Sequence, residues 1–191
     1  MSKPKLGYLL FDLPSDHEVE AALATECKVI ETLIYNMHLK ARVKRICVAS
    51  TERFRTYPTY RYSVQFVHLA CHGGTDGIWM LGGTMSWVDV AEQITKHLHK
   101  LKSGQQRVMV FSCCYSSDGF QATKETLKDY FTGAYYFNMA SVQFAKAITL
   151  WVMFYFKKRL KWPHEKVVTA INEYLGEKIL VFSTYGTPPT A

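Results

Sequence analysis

The chain has 191 residues, 48% of them hydrophobic and 20% charged. That balance fits one globular domain with enough chain to bury a sizeable core, and it excludes a low-complexity or disordered polymer. The formal charge is +7, but the cations are scattered (Arg42, Lys44, Arg53, Lys96, Lys100, Lys157, Lys161), so they read as solvated faces. With no nucleic-acid-binding motif beside them, no nucleic-acid partner is expected.

Leu6 to Leu13 is a near-continuous apolar run closed by Pro14 and reads as a first strand. Ser15-Asp16-His17-Glu18 has the spacing of a capping box. The helix after it carries Val19, Leu23, Cys27, Ile30, Ile34 and Met37 on one face. Val43 to Ala49 is a second strand, and the basic, aromatic stretch Thr51 to Tyr62 is a loop or short helix. Ser63 to Ala70 is a third strand that stops at His72-Gly73-Gly74.

Ile78 to Met85, with Gly82-Gly83 inside it, reads as a small hairpin or loop over the sheet edge. Ser86 can cap a helix whose apolar face is Trp87, Val90, Ala91, Ile94, Leu98 and Leu101, with Gly104 after its end. His97 and His99 fall on its polar side and are expected to be solvated. Val108 to Ser112 is the fourth strand, Tyr115 to Phe120 a polar loop, and Thr123 to Phe131 a short helix. Ala134 to Asn138 is the fifth strand. Ser141 can cap a long helix to Leu160, Pro163 suits the start of another to Leu175, and Gly176 ends it. Ile179 to Ser183 is the last strand. The apolar stretch Ala147 to Phe156 lies between Lys146 and Lys157 and is too short to span a bilayer, so it reads as a buried helix.

Strands that alternate with helices, and that are apolar throughout, indicate an α/β sandwich with a mostly parallel sheet. Such sheets place their sites at the carboxyl ends of the strands. His72 and Cys114 both fall just past such ends. The five cysteines (Cys27, Cys47, Cys71, Cys113 and Cys114) are an odd number, and the residues from Met1 to Lys5 do not read as a signal peptide. Free thiols in a reducing, cytoplasmic setting are therefore expected.

A base and a thiol delivered to one rim make a cysteine nucleophile. The thiolate is the attacking species, and a neighbouring imidazole can take its proton. The oxyanion that follows needs donors, usually backbone N–H groups. Gly73 lets the chain after His72 turn tightly, and the N–H of Cys114 is a natural second donor. Zinc is the rival chemistry, because His68, Cys71, His72, Cys113 and Cys114 are the mixture it takes. However, strand residues from 68 to 70 point alternately to opposite faces, and adjacent cysteines rarely chelate one ion. No metal and no cofactor is therefore expected. A Cys113–Cys114 redox pair would be strained.

His-Leu-Ala-Cys-His-Gly-Gly (68–74) resembles the histidine block of CHAT-domain peptidases, caspase-like proteins of the same clan as caspases, metacaspases and separases. Phe-Ser-Cys-Cys-Tyr-Ser (111–116) is similar to that family's cysteine block and, more distantly, to that of caspases. The resemblance implies a three-layer αβα caspase-like sandwich over the single domain 1–191, with a mostly parallel six-stranded sheet whose last strand is antiparallel. It implies His72 as general base, Cys114 as nucleophile, and the amides of Gly73 and Cys114 as the oxyanion hole. Position 113 is cysteine where the family has alanine, but Cys114 holds the motif position.

Ser112 stands where metacaspases carry an aspartate for basic substrates, so the resemblance gives no acidic pocket from that position. Ser112, Asp76 and Asp118 are candidate substrate-binding residues, although Thr-Asp-Gly and Ser-Asp-Gly are also turn formers. The implied function is a cysteine endopeptidase acting on a protein or peptide, by analogy a companion protein in a bacterial defence or cell-death system. An activating protein partner or a homo-oligomer would control it. The alternatives are a non-catalytic interaction module of the same fold and a thiol-dependent transferase or amidase.

Overall fold

A computed structural model of the chain describes residues 7–15, 23–37 and 41–186. The main sheet contains β1 (Gly7–Leu13), β2 (Arg42–Cys47), β3 (Phe66–Gly73), β6 (Val108–Ser112), β7 (Gly133–Phe137) and β8 (Leu180–Thr184). Their order is β2-β1-β3-β6-β7-β8. All neighbours are parallel except β7 and β8, which are antiparallel. The antiparallel hairpin of β4 (Gly77–Met80) and β5 (Gly83–Ser86) pairs with the end of β3. The hairpin expected from Gly82-Gly83 is therefore present, but it extends the carboxyl end of a central strand rather than covering the sheet edge.

Strand alternation divides the core into two layers. Leu9, Phe11, Val67, Leu69, Met109 and Phe111 face one side. They meet α2 (Thr51–Thr56), α3 (Trp87–Lys96) and α4 (Ser116–Leu127) through Phe54, Trp87, Val90, Ile94, Phe120 and Leu127. Tyr8, Leu10, Phe66, Ala70, Val110 and Tyr135 face the other side. There they meet α1 (Leu23–Met37), α5 (Phe144–Arg159) and α6 (His164–Leu175) through Cys27, Ile30, Ile34, Trp151, Phe154, Val167 and Ile171. Helices on both faces explain why β1 and β6 are buried along their whole length and read as unbroken apolar runs.

Several local signals act as their chemistry requires. Ser50 and Ser86 accept the amides of Arg53 and Asp89 at the starts of α2 and α3. Gly176 ends α6 at φ 68°, where a side chain would be strained. The stretch from Ala147 to Phe156 lies in α5, with Trp151, Phe154 and Tyr155 buried and Phe156 exposed. No helix among the described residues is long and apolar enough to cross a membrane.

Other expectations are corrected. The helix from Trp87 ends at Lys96, not beyond Leu101, because Leu98 turns inward to bridge Tyr62. His97 is consequently buried rather than solvated, packed against the rings of Phe11 and Tyr57. Burial lowers its pKa. The polar stretch after Tyr115 is the first two turns of α4, which closes at Leu127. The long helix starts after Gln143, so Ser141 does not cap it. The capping-box residues Asp16 to Glu18, and Val19, lie outside the described residues, as does Leu6.

Candidate active site

The site grows from one register pair. Ala70 of β3 lies opposite Ser112 of β6 on neighbouring parallel strands. His72 and Cys114 each stand two residues further along. β3 continues as regular strand through Gly73, so alternation puts His72 on the face of His68 and Ala70. Cys71 and Cys113 pack into the opposite layer, with α3 and α4.

This alternation separates the two adjacent thiols. Cys113 is buried, whereas Cys114 is half-buried at the rim. Burial pushes the Cys113 thiol well above the usual thiol range, and hydrogen bonding with Cys71 adds to the rise. A thiol held neutral in this way is inert. Cys114 Sγ lies 3.8 Å from Ser141 Oγ.

The chain turns sharply after Cys114. Tyr115 takes a left-handed conformation at φ 53° and ψ 27°, and α4 begins at the next residue. The amide of Tyr115 donates to the carbonyl of Ala140, while its own carbonyl accepts the amides of Asp118 and Gly119. Ser116 Oγ accepts the amide of Phe137 at 2.8 Å, tying the start of α4 to β7. A left-handed non-glycine residue is costly, and such strain concentrates at functional sites. The turn leaves Cys114 one residue before the first turn of a helix, a position that favours negative charge.

Gly73 completes the rim. A Cβ placed there would run into the Cys114 carbonyl and come within 3.3 Å of Cys113 Cβ. The two backbone segments thus approach as closely as only glycine permits. Trp79 lies opposite His72 on β4 and is 55% exposed, presenting an aromatic surface beside the rim.

Below the rim is a cavity of about 70 Å³. Cys114, His72, Cys71, Cys113 and Ser112 contribute to its walls from the strands. Glu26 of α1 lines it as well, with Phe137, Val142, Phe144 and Ala147 forming an apolar side. Ser112 is buried and its hydroxyl accepts the indole N–H of Trp151 at 2.6 Å. Asp76 and Asp118 are exposed and are not among the residues lining this cavity. The backbone carbonyl of Asp76 instead accepts the amide of Trp87.

His68 is fully buried, with Nε2 2.7 Å from Glu26 Oε1 and Nδ1 3.0 Å from Tyr155 Oη. It is thereby held by those two groups. Among the described residues, no three His, Cys, Asp or Glu side chains are grouped to hold a metal ion.

Sequence reasoning placed His72, Gly73, Ser112 and Cys114 around one rim but missed Glu26, Ser141 and Trp79. Glu26 had a signal: it lies four residues before Ile30 and eight before Ile34, on the buried stripe of its helix. A carboxylate on such a stripe needs a buried partner.

No protein-family model and no curated protein matches the sequence. Among solved structures, the Arg-specific cysteine proteinase gingipain R superposes with a TM-score of 0.54 at 10% identity. The match covers 90% of this chain and 43% of that one, so the chain spans less than half of gingipain R. With the strand order and the antiparallel last strand, this defines the protein as having a caspase-like α/β fold.

Proposed function

We propose that the chain is a cysteine endopeptidase of the caspase-like class, with Cys114 as nucleophile and His72 as general base. The observation that carries this reading is the placement of both residues on one cavity, equally far past the Ala70–Ser112 pair. His72 takes the Sγ proton, and the thiolate attacks the scissile carbonyl carbon. The N–H groups of Gly73 and Cys114 stabilise the oxyanion. Collapse expels the amine, which takes its proton from His72, and leaves a thioester on Cys114. Water activated by His72 then hydrolyses the thioester and regenerates the thiol.

The CHAT-type assignment rests on the motif resemblance at 68–74 and 111–116. With it comes the reading that a companion protein is cleaved in a bacterial defence or cell-death system. Gingipain R, a cysteine proteinase by name, supports the hydrolase reading through its fold.

The test is a cleavage assay on a peptide library and on candidate companion proteins, comparing Cys114→Ala, His72→Ala and Cys113→Ala. Loss of cleavage at 114 and 72, with retention at 113, supports the enzyme. A partner-dependent function unchanged in all three variants replaces it with a non-catalytic binding module.

A further inference from the structure

We propose that the carboxyl end of α5 and the turn after it form a docking surface for an anionic lipid membrane, on which the chain rests peripherally. The proposal is independent of the peptidase reading.

α5 is apolar on more than one side. Its buried face is Ala147, Leu150, Trp151, Phe154 and Tyr155. A spacing of four puts Val152, Phe156 and Leu160 in one row on the other side. Val152 is half-buried, but Phe156 is 49% and Leu160 52% exposed. A contiguous apolar row facing water marks an interaction surface, whereas single exposed residues need no explanation.

Cations surround the end of this row. Lys157, Lys158, Arg159 and Lys161 follow Phe156, and Lys166 lies in the first turn of α6. In the sequence they read as scattered; the fold gathers them. Lys161 takes a left-handed backbone at φ 60°, where the chain turns from α5 toward α6. Beyond the turn, Lys157 and Lys166 both lie over the ring of Trp162, with Nζ 4.4 and 4.2 Å from its centroid. Lys158 Nζ donates to the Trp162 carbonyl. Among the described residues, none of these cations is in an ion pair. No Asp or Glu occurs between Asp129 and Glu165, so Glu165 is the one carboxylate within the cluster. His164 adds no charge at neutral pH, because burial lowers its pKa to about 4.

Exposed Phe and Leu, a Trp at their border and a ring of cations are what a surface needs to lie on lipid. The apolar tips enter the boundary of the acyl chains and the cations meet the headgroups. A group of roughly four to eight Lys and Arg beside such a helix favours anionic lipid. Flexible ammonium groups need no fixed register with fluid headgroups, as they would with carboxylates of a folded partner. A second copy of the chain would set one cationic cluster against another, which costs affinity. No helix among the described residues is long and apolar enough to cross a membrane, so the contact is peripheral. Phe144, at the other end of α5, lines the cavity beneath Cys114. At 1.5 Å per residue it lies about 24 Å from Leu160, so the docking surface is well away from the rim.

The experiment floats the full chain with vesicles of phosphatidylcholine alone, or of phosphatidylcholine with about 30% phosphatidylserine. The anionic vesicles are expected to bind at least ~10-fold more protein, and less as salt is raised. This comparison needs no variant. Arg159→Glu with Lys161→Glu, and separately Phe156→Ser with Leu160→Ser, should each lower that binding at least ~10-fold with Tm unchanged. Arg42→Glu with Lys44→Glu, at exposed cations of β2, makes the same change in net charge and should leave most of the binding. Equal loss in the β2 pair assigns binding to overall charge and overturns the proposal. Binding indifferent to the serine pair overturns it as well, because the apolar row then plays no part. Failure to bind either vesicle removes the membrane. If the serine pair then abolishes a dimer seen by analytical ultracentrifugation, the row belongs to a second copy instead.

Discussion

The carbonyl oxygen of Cys114 occupies the space that a side chain on Gly73 would need. The backbone after the proposed base and the backbone of the proposed nucleophile are in contact, and the two proposed oxyanion donors come from these segments. Gly73→Ala must push them apart. Overpacking of this kind typically costs about 1–3 kcal/mol, and losing an oxyanion donor costs about 10²–10³ in kcat. Thermal unfolding and peptide hydrolysis of the variant should both fall. A variant with wild-type Tm and turnover would separate Gly73 from the site.

Ser112 lines the cavity, yet its hydroxyl is committed to the Trp151 indole. Ser112→Ala should therefore act on stability, leaving a buried indole N–H unsatisfied at about 1–3 kcal/mol. Cleavage preference should stay as it was. A changed preference at wild-type stability would make Ser112 a reader of substrate instead.

Asp12 is fully buried on β1, with Arg45 Nη1 3.9 Å from Oδ2. Burial raises its pKa from 3.8 to about 6, against the lowering pull of Arg45; Cys47, Glu26 and His68 also lie near enough to act. The folded state thus binds this proton more tightly than the unfolded state. The stability from that proton is present below about pH 3.8 and is lost as pH rises through 6. Asp12→Asn removes the buried charge, so its Tm should exceed wild type at pH 7.5, with the advantage shrinking toward pH 4. An advantage that grew on acidification would reverse the sign of this argument.

Tyr115 holds a left-handed backbone at φ 53°, which costs an ordinary residue roughly 1–2 kcal/mol. Tyr115→Gly relieves it. A gain of 1 kcal/mol in a chain of this size raises Tm by about 2–4 °C, readable by differential scanning fluorimetry. A lower Tm would mean that the tyrosine side chain contributes more by packing than its backbone costs.

The parts of the fold legible in sequence are those set by local burial. β1, β3 and β6 show as apolar runs because helices cover both faces, and each ends at a sharp chemical change. The start of α4 was hidden because its polar residues serve tertiary partners: Ser116 bonds the backbone of β7, and Gly119 lies where a Cβ would meet the Trp87 ring at 3.0 Å. His97 reads as polar surface, but Phe11 and Tyr57 enclose it from distant parts of the chain. Glu26 meets His68 only once α1 has packed on the sheet. Motif spacing brought His72 and Cys114 to one rim. The cavity below them depends on α1 and α5: Glu26 shows in the sequence only as a carboxylate on a buried stripe, and Phe144 and Ala147 of α5 carry no local signature.

The central claim is that His72 activates the sulfur of Cys114. Iodoacetamide labelling at pH 6, mapped by mass spectrometry, tests it within one molecule, because Cys47 is exposed and serves as the reference thiol, its pKa raised by partial burial. Cys114 should label first, at least ~10-fold faster than Cys47, and His72→Ala should bring it down to the rate of Cys47. Labelling of Cys47 ahead of Cys114, or a Cys114 rate indifferent to His72, would contradict the claim.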